Sequence, residues 1–191
     1  MVTLAAWLAI PALLAASGVM RDFASLPPPL MLVVIPMVLA CVAIAASPIG
    51  ARLVEAAGIG WLVGIHVFRL PLELLLHRLY VEGVVPVQMT YDGRNFDILT
   101  GVLALVLGLW ATRRQPPRWA IWTFTIVGLV LLWNIVGVAI LSTPMPIRRF
   151  FNEPANTFIA EFPWVWLPTF LVQAAWLLHL LALRWLLVRR P

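Results

Sequence analysis

The chain has no lysine, one cysteine and three histidines, and only 11% of its 191 residues are charged. Each scarcity excludes something. With Cys41 alone in an apolar run, there is no internal disulfide and no multi-cysteine metal site. A soluble domain of this size needs roughly a quarter of its residues charged to cover its surface, so the composition excludes one. The sequence signatures of common catalysts are missing as well: there is no HExxH, no Walker loop, no GxSxG and no DxxD-type acidic pair. All thirteen basic residues are arginine, and the net charge is +5. They are scattered at the ends of apolar segments, as topology determinants are, so no nucleic-acid partner is expected.

What is present is apolar sequence, 63% hydrophobic with a mean hydropathy of +0.99. A bilayer core about 30 Å thick takes around 20 apolar residues in a helix. Six segments qualify: 3–20, 30–47, 56–80, 97–112, 119–141 and 164–188. The expected fold is therefore all-α, a single transmembrane domain over 1–191 built as a bundle of about six helices, with no internal repeat. The first twenty residues carry small Ala15, Ala16 and Ser17 but no basic n-region, and read as an uncleaved helix rather than a signal peptide.

Arginines outside the spans set the orientation. Arg52, Arg113, Arg114, Arg118, Arg189 and Arg190 collect on one side, and Arg21, Arg94, Arg148 and Arg149 on the other. Positive-inside counting puts both termini in the cytoplasm and the polar loops 81–96 and 142–163 outside. Trp110, Trp119 and Trp185 are expected at the inner interface, Trp164 and Trp166 at the outer one. The expected location is a bacterial cytoplasmic (inner) membrane.

The third segment is unusual because it holds His66, Arg69, Glu73 and His77. At 100° per residue these fall at roughly 0°, −60°, −20° and +20°, one face of a helix. Ala56, Gly60 and Gly64 form a second face, suited to close packing. Twelve Leu, Ile, Val and Phe side chains over 58–79 supply on the order of −5 kcal/mol of insertion energy, against about +6 kcal/mol for two central charges. The charges need partners. Arg69 and Glu73, four apart, can pair with each other, and Pro71 frees a backbone carbonyl. Depth along the helices nominates Asn134 and Gln173 as neighbours and places His66 and His179 at one level, where they could ligate a haem b. Lone membrane histidines more often just form hydrogen bonds. In the first polar loop, Asp92-Gly93 signals a turn, Asn95 or Asp97 can cap the following helix, and Arg94 belongs to a solvated loop or a site rim. The second loop, IRRFFNEPANTF, is aromatic enough to lie on the membrane or fold over the bundle.

The run VFRLPLELLLHRLYVEGVVPVQMTYDGRNFDILTG and the closing FPWVWLPTFLVQAAWLLHLLAL resemble segments of a loosely defined set of small bacterial multi-pass inner-membrane proteins. The resemblance implies a membrane location and a helical fold, and no activity.

Ionisable groups inside a membrane segment are by default functional, while the plain alternative is that they fix helix register at about 0.6 kcal/mol per interhelical bond. The expected function is a non-catalytic membrane protein with a polar intramembrane pocket, open towards the outer side, that binds or passes a small polar or amphipathic ligand. Its residues are Arg69, Glu73, His66, His77, Asn134, Gln173, His179, Asp97 and Arg94, with Arg69 holding an anionic group and Glu73 balancing charge or carrying a proton. A membrane-embedded enzyme acting on a lipid or isoprenoid, with Glu73 or His77 as base, is one alternative. A subunit whose charged helix pairs with another membrane protein is the other.

Overall fold

Prolines and one serine set where the helices start. Pro29 opens a helix after Pro28, Pro117 precedes another, and Pro48 sits at a first helical position behind Ser47. The Ser47 hydroxyl accepts from the backbone N–H groups of Ile49 and Gly50 at 3.1 and 3.4 Å, using orphan donors of that helix end. In the computed structural model, which describes residues 2–188, the elements are α1 (Val2–Ala16), α2 (Pro29–Ala46), α3 (Pro48–Gly64), α4 (Arg69–Val81), α5 (Ile98–Ala111), α6 (Arg118–Leu141) and α7 (Val172–Val188). A 3-10 stretch, Ile65–Phe68, joins α3 to α4, and a π-helical turn, Leu167–Leu171, leads into α7. There is no strand among the described residues. Arg189 and Arg190, used above for orientation, lie outside them.

Four of the resulting rods are long and apolar enough to cross a membrane: Pro29–Ala46, Pro48–Val81, Arg118–Leu141 and Leu167–Val188. The helices Thr3–Ala16 and Ile98–Ala111 are apolar but shorter.

The third rod differs from the expected 56–80. It begins at Pro48, and Arg52 and Glu55 lie on its exposed first turns. Hydropathy marks only the apolar part of a helix, whereas the proline and the serine cap mark its true start. Gly58, at φ 68° and ψ 157°, interrupts it in a conformation that favours glycine. Pro71 is accommodated in the first turn of a new helix, and the turn before it tightens to 3-10 geometry.

The small-residue face of α3 meets α5. A Cβ on Gly64 would stand 3.4 Å from the Cα of Gly108, and one on Gly60 would stand 2.8 Å from the Ala111 methyl. The last rod is central, with α7 packing on α2, α3 and α6. At one end of the bundle, Val54, Leu62, Val63, Leu107, Ile121, Phe124, Leu181 and Leu186 close into a continuous apolar cluster. Trp185 belongs to that cluster, buried and with the Arg118 guanidinium 5.5 Å from its ring centre.

The other end is a lid of loops. With 14 residues α5 is only about 21 Å long, and the chain before it fills the remaining height. Val85, Gln88, Met89, Thr90, Asn95 and Asp97 are all buried, and Gln88 donates to the Ser142 hydroxyl at 3.0 Å. The polar loop 81–96 is thus partly interior, buried at Val85, Pro86, Gln88, Met89, Thr90 and Asn95 and exposed at Glu82, Asp92 and Arg94. Irregular backbone survives there because the protein encloses it and partners its polar groups. The 142–163 segment folds over the same end, burying Ser142, Thr143, Met145, Asn156 and Phe158.

Candidate functional site

Arg69 begins α4 and is 1% exposed; Glu73, one turn on, is also 1% exposed. They do not form the expected pair. The Arg69 Nη1 group reaches across to the Oδ1 oxygen of Asp97, forming a buried ion pair, and the Thr100 hydroxyl donates to the same oxygen at 3.2 Å. Glu73 is held by Asn95, whose Nδ2 lies 2.8 and 2.7 Å from the two carboxylate oxygens and 3.1 Å from the Met89 carbonyl. Asn95 Oδ1 accepts the Asp97 backbone N–H at 3.1 Å. Asn95 therefore turns the chain into α5 and holds Glu73 at the same time. The Asp97 side chain makes no capping bond to α5, because Arg69 takes it.

The reason for the exchange is positional. The enclosed 88–97 segment brings Asn95 and Asp97 beside α4, and a carboxylate on a second element can meet the guanidinium without distorting α4. Sequence reasoning treated Asn95 only as a cap and did not consider Thr100. The available signal was a polar group, N-F-D-I-L-T, opening an apolar helix too short to cross alone.

Around this cluster lies a cleft of about 360 Å³. Its walls are almost wholly apolar, built from Leu30, Val34, Val38, Leu132, Val136, Leu171 and Ala175 on α2, α6, α7 and the turn before α7. Arg69, Glu73, Asn95 and Asp97 all line it. The flanking helices α2 and α6 both pack on α7 but make no comparable contact with each other. Ile35, Leu39 and Trp133 on their facing sides both line the cleft and are exposed. The cleft is thus open sideways, between two apolar helices.

The remaining expected site residues are elsewhere. Asn134 is exposed and donates to the Arg94 carbonyl at 2.7 Å, away from Arg69 and Glu73. Gln173 is buried, but its amide donates to the Pro168 carbonyl at 3.0 Å, near the π-helical turn, and Cys41 Sγ lies 3.7 Å from its backbone oxygen. Neither residue lines the cleft, and the direction in which a side chain points is not readable from depth. The Arg94 guanidinium stacks over the Phe150 ring at 4.9 Å on the lid. His77 stacks on Tyr91, with ring centres 4.6 Å apart, and lies 3.4 Å from Asp92. It does not line the cleft.

His66 lies in the 3-10 stretch before α4 and does not line the cleft. It meets His179 of α7 instead, as their equal depth suggested, with ring centres 4.1 Å apart at 35°. Both stack edge-on or tilted against Phe124, at 5.3 and 5.2 Å. Two imidazoles on opposite sides of one metal need facing nitrogens about 4 Å apart, with the ring centres farther still. Rings lying over one another at 4.1 Å leave no slot for a haem. Among the described residues no group of three or more His, Cys, Asp or Glu is arranged to hold a metal ion.

No curated protein and no solved structure matches the chain. A family model does, over residues 26–187, and the chain belongs to the family it describes, the domain of unknown function DUF8737.

Proposed function

We propose that this is a multi-pass protein of a bacterial cytoplasmic membrane, both termini in the cytoplasm and the lid outside, which binds or passes an amphipathic ligand in its lateral cleft. The observation that carries the reading is the meeting of about 360 Å³ of apolar space with four buried polar side chains at one wall. A site of this size, mostly apolar with a few convergent polar groups, is the usual form of a small-molecule site. Walls of Leu, Val and Ala favour a hydrocarbon chain over a small polar solute, and the gap between α2 and α6 provides entry from the bilayer. The apolar cluster at the far end argues against a through-path and for binding over passage.

The subunit reading needs the charged face turned outward, and Arg69 and Glu73 face inward. The enzyme reading would rest on Glu73 alone, since His77 stands away from the cleft.

Photolabelling tests the proposal. An alkyl-diazirine probe added to membranes holding the full chain should label α2 and α6 peptides that line the cleft, around Val38 and Val136. Filling the space with Ala175→Trp, or with Ala139→Phe if the first variant folds poorly, should abolish that labelling. Labelling that persists in a folded, filled variant, or that misses these peptides in the unmodified protein, would overturn the reading.

A further inference from the structure

The π-helical turn Leu167–Leu171 forms part of the cleft wall, through Leu167, Pro168 and Leu171. Nothing local forces its geometry. Pro168 stands at the first helical positions, where a missing N–H is no bar to an ordinary α-turn, and the turn holds no glycine. Two of its carbonyls are instead taken by side chains. The Gln173 amide donates to the Pro168 carbonyl at 3.0 Å, and the Trp7 indole N–H, from α1, donates to the Thr169 carbonyl at 2.8 Å. A second indole bond runs the other way, from Trp166 Nε1 to the Leu8 carbonyl at 3.0 Å. These two indole bonds tie α1 to the turn. Little else holds α1 in place. It is shorter than a membrane span, Leu4, Ile10 and Leu13 are exposed, and its main contacts are with this turn and with the 3-10 stretch Val19–Arg21 that follows it.

A π turn carries one residue more than the α-turn it replaces, so the same chain has two registers open to it. Losing the extra residue rotates the chain before it by roughly 100° about the helix axis. Leu167 then turns away from the cleft, while Ala175, beyond the turn, keeps its place. A carbonyl left without a partner in apolar surroundings is costly, so the docked Trp7 favours the register in which Thr169 presents its carbonyl to α1. We infer that α1 is a strap on the cleft: docked, it holds the turn in π register with Leu167 on the wall, and released, it lets the turn rewind and the wall change. Trp7 is thus a positioning residue, acting through the Thr169 carbonyl. The consequence for a ligand rests on the cleft reading above; the strap itself does not.

Trp7→Phe keeps an aromatic ring and removes the N–H. Hydrogen exchange, followed by mass spectrometry on the full chain in phosphatidylcholine nanodiscs, should rise about fivefold over 167–173, the scale of one hydrogen bond. Exchange in α5 and α6 should not change. The alkyl-diazirine label should move with it, falling at Leu167 relative to Ala175. Trp166→Phe cuts the reciprocal bond, should act in the same way, and decides the question if Trp7→Phe folds poorly. Unchanged exchange over 167–173 in a folded variant, or a rise shared by every helix, would overturn the inference. A local rise in a protein whose cleft takes no label would support the strap and remove the ligand reading alone.

Discussion

His66 and Arg69 stand three residues apart and are equally buried, yet the polar groups they belong to are built differently. Arg69, Asp97, Asn95, Glu73 and Thr100 are joined by hydrogen bonds and an ion pair, and the first four border open space. His66 and His179 have no hydrogen-bond partner on any of their four ring nitrogens, and they are held by ring stacking. Hydrogen bonding separates the two pairs, and charge explains it. An unpaired ion in an apolar interior costs far more than a neutral polar group, so the charged set must be cross-linked while an imidazole can be packed as a small aromatic ring. The linked set is the candidate site, and the stacked pair does not line the cleft.

Breaking the ion pair should show the largest effect. Arg69→Ala strands the Asp97 carboxylate and should cost about 3–5 kcal/mol, read as loss of melting temperature in detergent. Adding Asp97→Ala should recover more of that loss than adding Glu73→Ala, because only Asp97 is bonded to the guanidinium. Equal recovery by the two double variants would mean that the three residues act as one undivided network.

The stacked pair is vulnerable through shape instead. A Cβ on Gly128 would collide with the His179 ring and stand 3.1 Å from the Thr100 methyl. Gly128→Ala should therefore cost about 1–3 kcal/mol as overpacking. Shortening the ring with His179→Ala in the same chain should relieve the collision, so the two changes should be less than additive in melting. Strict additivity would mean that the methyl is absorbed elsewhere.

The smallest effect sharpens the contrast. With no hydrogen bond to lose, His66→Leu should change stability by less than about 1 kcal/mol, in either direction. A loss as large as that of Arg69→Ala would show the imidazole to be a bonded member of the polar network.

Much of the helical plan was legible because bilayer thickness and apolar length translate directly into each other. The segments 30–47, 119–141 and 164–188 match α2, α6 and the rod ending in α7 to within a few residues. The start of the third rod was less legible, since Pro48 and Ser47 act through local backbone geometry that a hydropathy window averages away. The site was legible in part. Arg69 and Glu73 stood out because charge inside an apolar run has to be explained, and the depth estimate for His66 and His179 was close enough for the two rings to meet. The same arithmetic nominated Asn134 and Gln173, whose amides donate to the Arg94 and Pro168 carbonyls, since rise says nothing of azimuth.

By itself, then, the sequence determined that the chain is helical, apolar enough for a membrane, and obliged to shelter an arginine and a glutamate within one helix. Those conclusions follow from composition and periodicity, which are local. Only the tertiary structure decided that Asp97 partners Arg69, that Asn95 holds Glu73, and that space is left between α2 and α6 beside them. Each depends on a short α5 that draws the preceding segment into the bundle, and on the directions in which separate helices face. Those are relations between elements far apart in the chain, and packing, not propensity, sets them.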